Sequence, residues 1–119
     1  MKSKTIKRIL SISAVCSIFS LVSIQQASAA TLSKSASNNF TKAWELYATA
    51  DSGKASLTYG YNTFLINEDY AWANHSTNKH YASLTNGNGS FSGPNKSGGT
   101  ISKIEVTHSG STVTYKCNY

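Results

Sequence analysis

The chain has little with which to bridge itself, grip a polyanion or do covalent chemistry. It holds two cysteines, one proline and no arginine after Arg8. Cys16 lies in an N-terminal segment with the marks of a secretory signal, so Cys117 stands alone in the remainder. An intramolecular disulfide is thereby excluded. Cys117 is left as a free thiol, as the site of an intermolecular bridge, or as a half-buried strand residue. The lack of arginine removes the planar fork that grips phosphate and guanine bidentately. Nucleic acid is therefore not an expected partner. No apolar run is long enough for a membrane span, which needs about 20 predominantly apolar residues. Ile9 to Ile24 is shorter and broken by serines, and no stable membrane insertion is expected.

That stretch fits a signal peptide instead. Lys2, Lys4, Lys7 and Arg8 form its basic start, and Ala27-Ser28-Ala29 supplies small residues for cleavage. Residues 1–29 are read as a cleaved signal for secretion, with a cut after Ala30 the alternative. Val15 before Cys16, and the apolar residues after it, argue against lipidation. Lys7-Arg8 is not a twin-arginine pair. Cleavage also alters the charge. The precursor carries +6, but the mature chain keeps seven lysines against five acids, or +2.

Chemical machinery is equally sparse. His75 and His80 are five apart and His108 is remote in sequence, whereas metal sites usually take three or four ligands. No glycine-serine-glycine elbow is present. The one adjacent acidic pair, Glu68-Asp69, falls in an expected turn. No motif assembles a nucleophile, a base and an orienting group. The chain is read as a non-enzyme without metal or cofactor.

What the chain does have is β pattern and aromatics. About 90 mature residues make one domain with a modest core. Residues 30–54 read as a polar leader. Thr31 to Asn39 has too little apolar surface to order itself. Phe40 to Ala50 fits a short helix or a strand, and Asp51-Ser52-Gly53-Lys54 is a turn. From Ala55 onward the reading is all β. Leu57, Tyr59 and Tyr61 alternate on one face of a strand over Ala55 to Asn62, where Gly60 suggests a bulge or a close approach by another group. Thr63 to Ile66 is a short apolar run, and a turn at Asn67-Glu68-Asp69 pairs it with Tyr70 to Asn74. A polar connection carrying His75, Lys79 and His80 leads to the strand Tyr81 to Thr85. Asn86-Gly87-Asn88-Gly89 signals a hairpin with positive φ at its centre. Thr100 to Thr107 and Thr112 to Tyr119 read as a final hairpin, with Val113, Tyr115, Cys117 and Tyr119 on one face. Short strands with turns every eight to twelve residues predict a small antiparallel β-sandwich. Trp72 and half of the tyrosines are expected to fill the core, for want of aliphatic residues. The other aromatics, beside Asn, Ser and Lys, would make a recognition surface.

Two stretches carry a family likeness: Leu57-Thr58-Tyr59-Gly60, and the run from Tyr70 to Gly87 through Trp72, His75, Lys79-His80-Tyr81 and Asn86. With the tyrosine-rich strand Val113 to Tyr119, they resemble the lactococcin 972 family of secreted bacteriocins. The likeness covers Ala55 to Tyr119. Thr31 to Lys54, the Thr100 to Thr107 strand and Cys117 fall outside it. It implies a β-sandwich that binds the cell-wall precursor lipid II and blocks septum formation in related Gram-positive bacteria, with a homodimer as one form. Lipid II offers sugars and a pyrophosphate. His75, Lys79, His80, Tyr59, Tyr61 and Tyr70 are the residues expected to meet it. The other reading is a non-toxic cell-surface or matrix binding module, and a third is a small secreted hydrolase or enzyme inhibitor.

Overall fold

A computed structural model describes residues 30–37 and 40–119; the expected signal segment, residues 1–29, lies outside the described residues. Eight strands follow in order: β1 (Thr31–Ala36), β2 (Trp44–Ala50), β3 (Ala55–Asn62), β4 (Glu68–His75), β5 (Tyr81–Asn86), β6 (Gly89–Ser92), β7 (Ser102–Thr107) and β8 (Val113–Asn118). They form two four-stranded antiparallel sheets, one ordered β1-β8-β5-β6 and the other β2-β3-β4-β7. No helix occurs among the described residues. The expected all-β sandwich is the architecture observed.

The core lies where the two inner faces meet. Leu57, Tyr59, Ala71 and Ala73 come from one sheet. Leu32, Ala82, Leu84, Val113, Tyr115 and Cys117 come from the other. This is the alternation read for β3 and β8, since side chains two apart share a face. Aromatic rings supply the bulk: Tyr115 lies 5.0 Å from Tyr59 and 6.1 Å from Trp44, ring centre to ring centre. Cys117 is fully buried among these residues and its thiol points to Asn74 O at 3.5 Å. Burial pushes that thiol up to about 11. A bridge to a second chain would require the core to open, so the intermolecular disulfide is set aside.

Four local expectations are corrected. Thr31 to Ala36 is no leader but an edge strand, paired along its whole length with β8. Its order comes from main-chain hydrogen bonds, with Leu32 as its one buried anchor and a hydroxyl pair between Ser35 and Thr114 at 3.0 Å. Glu68 and Asp69 belong to β4, and the β3–β4 turn is residues 63–67, so Thr63 to Ile66 is loop rather than strand. The last two strands form no hairpin: β7 pairs with β4 and β8 with β1 and β5, in opposite sheets. The connection over 108–112 crosses the sandwich: His108 is held by Asp69 of the sheet it leaves, and Ser109 O accepts the Gly87 N–H at 2.8 Å beside the sheet it joins. The Asn86-Gly87-Asn88-Gly89 hairpin does form, but its positive φ is at Gly89 (125°) and not at the central pair. Gly87 is required by proximity instead: a Cβ there would lie 2.6 Å from Ser109 Oγ and 2.9 Å from Gly110 N.

Gly60 has a related role on the opposite, outer face of the β2-β3-β4-β7 sheet. It sits between Glu45 on β2 and Tyr70 on β4. The Tyr70 ring lies across the glycine and its hydroxyl donates to Glu45 Oε2 at 2.7 Å. A Cβ at position 60 would run into Trp44 O and come within 2.7 Å of Tyr70 Oη. The expected close approach is thus an aromatic ring reaching over a strand. Gly60→Ala is expected to cost about 1–3 kcal/mol, the usual cost of overpacking. Tyr115→Phe should do the reverse. The Tyr115 hydroxyl is buried without a partner among the described residues, and burial raises its ionisation well above the ordinary value. Removing it relieves a desolvated polar group and should add about 1 kcal/mol. Urea denaturation of the two variants reads both effects.

Candidate functional site

The six residues expected to meet a ligand are dispersed by the fold. Tyr59 and Tyr61 point inward and are buried. Tyr61 packs edge-on against Phe40 and His108. His75 and His80 are each 1% exposed, too little to contact a target. Lys79 is exposed in the loop between them. Tyr70 lies on the outer face, but 8% exposed and tied to Glu45.

The two loop histidines have structural partners on both ring nitrogens. His75 ends β4. Its Nδ1 accepts the main-chain N–H groups of Thr77 at 3.2 Å and Asn78 at 2.9 Å. The ring proton therefore sits on Nε2, which donates to Asp51 Oδ2 at 2.8 Å. The ring also packs on Tyr119 with centres 4.9 Å apart. His80 faces two carbonyls, Asn78 O at 2.8 Å from Nδ1 and Thr100 O at 2.6 Å from Nε2. Carbonyls only accept, so satisfying both takes two ring N–H groups. Together the two rings fasten the β4–β5 connection to the β2–β3 turn and to the β6–β7 connection.

A third imidazole has a different setting. Asp69 is fully buried on β4 and its two carboxylate oxygens lie 2.8 and 2.9 Å from His108 Nδ1. Asn86 Nδ2 donates to Asp69 Oδ2 and to Thr107 O, both at 2.9 Å. Phe40 packs on the imidazole with centres 4.3 Å apart. An acid-oriented imidazole is half of a nucleophilic triad. The Cys117 thiol, however, is committed elsewhere, to Asn74 O. The described residues include no group of three His, Cys, Asp or Glu that could hold a metal ion. The sequence reading missed this pair because it placed Asp69 in a turn and judged His108 by its distance along the chain.

The outer face of the β2-β3-β4-β7 sheet gathers the groups that can recognise a ligand. Register sets them in rows. One row runs Tyr47, Thr58, Trp72, Lys103. The next runs Glu45, Gly60, Tyr70, Glu105. Tyr47 is 67% exposed. Lys103 Nζ lies 4.5 Å above the Trp72 ring, a cation–π contact, and Tyr70 packs beside it at 5.8 Å. Trp72 is therefore not in the core between the sheets, as had been expected. Alanines 71 and 73 take the inner positions of β4, where the opposing sheet comes close, and the large side chains go outward. Trp72 Nε1 and Asn74 Oδ1 are buried and have no hydrogen-bond partner among the described residues. One is a donor and the other an acceptor, two residues apart on one strand. The signal for this face was present in β7, where Lys103 and Glu105 alternate with Ile104 and Val106.

Comparison with protein-family models, curated proteins and solved structures finds no match.

The His75–Asp51 bond gives a direct check on the loop. Its hydrogen bond to His75, with a smaller contribution from nearby Lys54, holds the Asp51 carboxyl below the ordinary 3.8. A lowered folded-state value means that the bond's stabilisation is full above 3.8 and is lost as pH falls through the lowered value. NMR titration should show Asp51 ionising below 3.8 in the native chain and returning toward it in His75→Ala. An unchanged value in the variant would mean that His75 does not hold the carboxylate.

Proposed function

We propose that the chain is a secreted antibacterial protein that binds lipid II, or a related cell-envelope glycan precursor, and blocks septum formation in Gram-positive bacteria. The likeness of the stretch from Tyr70 to Gly87 to the lactococcin 972 bacteriocins suggests the target. The observation that carries the reading is the row Tyr47–Thr58–Trp72–Lys103 on an outer sheet face.

The chemistry of that face suits a glycan linked to a pyrophosphate. Sugar rings stack on rigid aromatic faces, and Tyr47 and Trp72 stand two strands apart, roughly 9.6 Å by the ordinary strand spacing. That separation reaches across successive sugars of a glycan. Thr58 lies between the two rings in the same row and offers a hydroxyl to the sugar, while Trp72 Nε1 and Asn74 Oδ1 are enclosed beneath the face. Lys103, above the indole, supplies a charge for a phosphate. Glu45 and Tyr70 hold one another and keep the neighbouring row rigid. The histidines enter this reading as supports of the scaffold.

The test is a calorimetric titration of the mature protein with lipid II in detergent micelles, beside growth and septation of sensitive cells. Trp72→Ala is expected to weaken binding about tenfold or more, the factor that corresponds to ~1.4 kcal/mol. Lys103→Ala should weaken it less, and both should lose activity on cells in the same order. Absence of binding by the native protein would retire the target. Rapid potassium leakage from treated cells would replace sequestration with pore formation. Retention on purified peptidoglycan with no effect on any strain would favour the surface-module reading.

A further inference from the structure

The β3–β4 turn is more apolar than its position requires. Residues 63–67 read Thr-Phe-Leu-Ile-Asn and join two paired strands. A hairpin loop of this length can be made from polar residues alone. Phe64, Leu65 and Ile66 are nonetheless 89, 84 and 51% exposed, and Phe64 and Leu65 are the most exposed large apolar residues among those described. They do not fold back on the core, which ends at Tyr61 and Asp69 on the adjoining strands. Asn62 Oδ1 accepts the Phe64 N–H at 3.4 Å, a local contact that leaves the side chains outside.

From these observations we infer that Phe64, Leu65 and Ile66 form a reversible anchor that dips into the surface of a lipid bilayer. The choice of a bilayer as occupant rests on the proposed binding of a lipid-linked precursor. Three features favour it over a protein groove or a second copy. The three side chains are exposed at a hairpin tip, and a fluid interface receives exposed apolar side chains without a matching pocket. It is also continuous with the proposed binding face: Phe64, Leu65 and Ile66 line one depression with Asn62, Glu68 and Glu105, and Glu105 ends the Glu45–Tyr70 row. A headgroup lying on that face would have its lipid end at the tip. Finally, the turn and the two strands that it joins carry no lysine or arginine to draw an acidic protein. No lysine or arginine occurs from Ala55 to Asn78, and the flanking acids are Glu68 and Glu105. Attachment is therefore apolar and not electrostatic. The loop is far too short to span a bilayer, which is why the contact is shallow and reversible.

The experiment is co-sedimentation of the full mature chain with phosphatidylcholine vesicles that contain no precursor. The native protein should partition onto them, and Phe64→Ser/Leu65→Ser/Ile66→Ser should reduce the partition by about tenfold or more, given the apolar area removed. Raising salt to about 1 M should leave binding unchanged, since screening is then nearly complete. Adding anionic lipid should not strengthen it. All three changes are at exposed positions, and an unchanged far-ultraviolet spectrum verifies that the variant folds. No partition of the native protein, equal partition of the variant, or loss of binding in salt would each overturn the inference. So would a native dimer in vesicle-free buffer that the variant converts to monomer, since the tip would then serve a second copy. A soluble lipid II headgroup separates this inference from the function proposed above. The triple variant should bind it as the native protein does. Vesicle binding without headgroup binding would sink the proposed target and leave the anchor standing.

Discussion

The β4–β5 and β6–β7 connections, which carry the chain from one sheet to the other, expose main-chain polar groups that must be paired, and two buried imidazoles pair four of them. The domain is small, its aliphatic residues are few, and its only described cysteine is unbridged. Unpaired main-chain groups at such crossings would cost more than so thin a core can offset. His75 receives two loop N–H groups and returns its own proton to Asp51. His80 meets a carbonyl on each side, one from its own loop and one from the β6–β7 connection. At the other end the His108 ring pairs with the side-chain carboxylate of Asp69, which Asn86 also holds, and the His108 main-chain N–H donates to Asn67 O at 2.8 Å. Main-chain bonds complete the seam: Gly99 N–H to His75 O at 2.9 Å, and a mutual pair between His80 and Lys96 at 2.8 and 3.0 Å.

Fixing the crossings decides what each sheet face does. The β4 strand illustrates it. Its inner side carries Asp69, Ala71 and Ala73, and its outer side carries Tyr70, Trp72 and Asn74. Small inner residues let the sheets approach, so the large rings must lie outside and cover one another. Tyr70 crosses Gly60 to reach Glu45, and Lys103 covers Trp72. The burial of the Tyr70 phenol, with its bond to Glu45, raises its ionisation far above the ordinary value, so it donates to the carboxylate at any physiological pH. The outer face is therefore rigid in the free chain, which would keep the entropy cost of the proposed recognition low.

Much of the fold was legible where a single strand carried its own pattern. Leu57, Tyr59 and Tyr61 announced the inner side of β3, and Val113, Tyr115 and Cys117 that of β8. The β5–β6 hairpin was equally clear from its asparagine-glycine turn. What stayed hidden depended on partners far along the chain. Thr31 to Ala36 has almost no apolar pattern, and only the waiting edge of β8 makes it a strand. His108-Ser109-Gly110-Ser111 reads as a turn whether the chain stays in one sheet or crosses. The crossing shows only in three dimensions, where Ser109 O meets the Gly87 N–H of the other sheet's hairpin. The site was less legible than the fold. A histidine pair with a lysine between looks like a contact loop in sequence, yet the rings face inward and Lys79 alone faces out. Trp72 was assigned inward for want of aliphatic residues to fill the core, and nothing within β4 says that its alanines take that place.

The account makes the histidines scaffold and the outer sheet face the surface of recognition. NMR spectra recorded while a soluble lipid II headgroup is added test that division most directly. The account predicts that the Tyr47 ring and Trp72 indole signals shift with ligand, while the ring signals of His75 and His80 stay in place. Shifts confined to His75, His80 and the loop between them, with Trp72 unmoved, would contradict it.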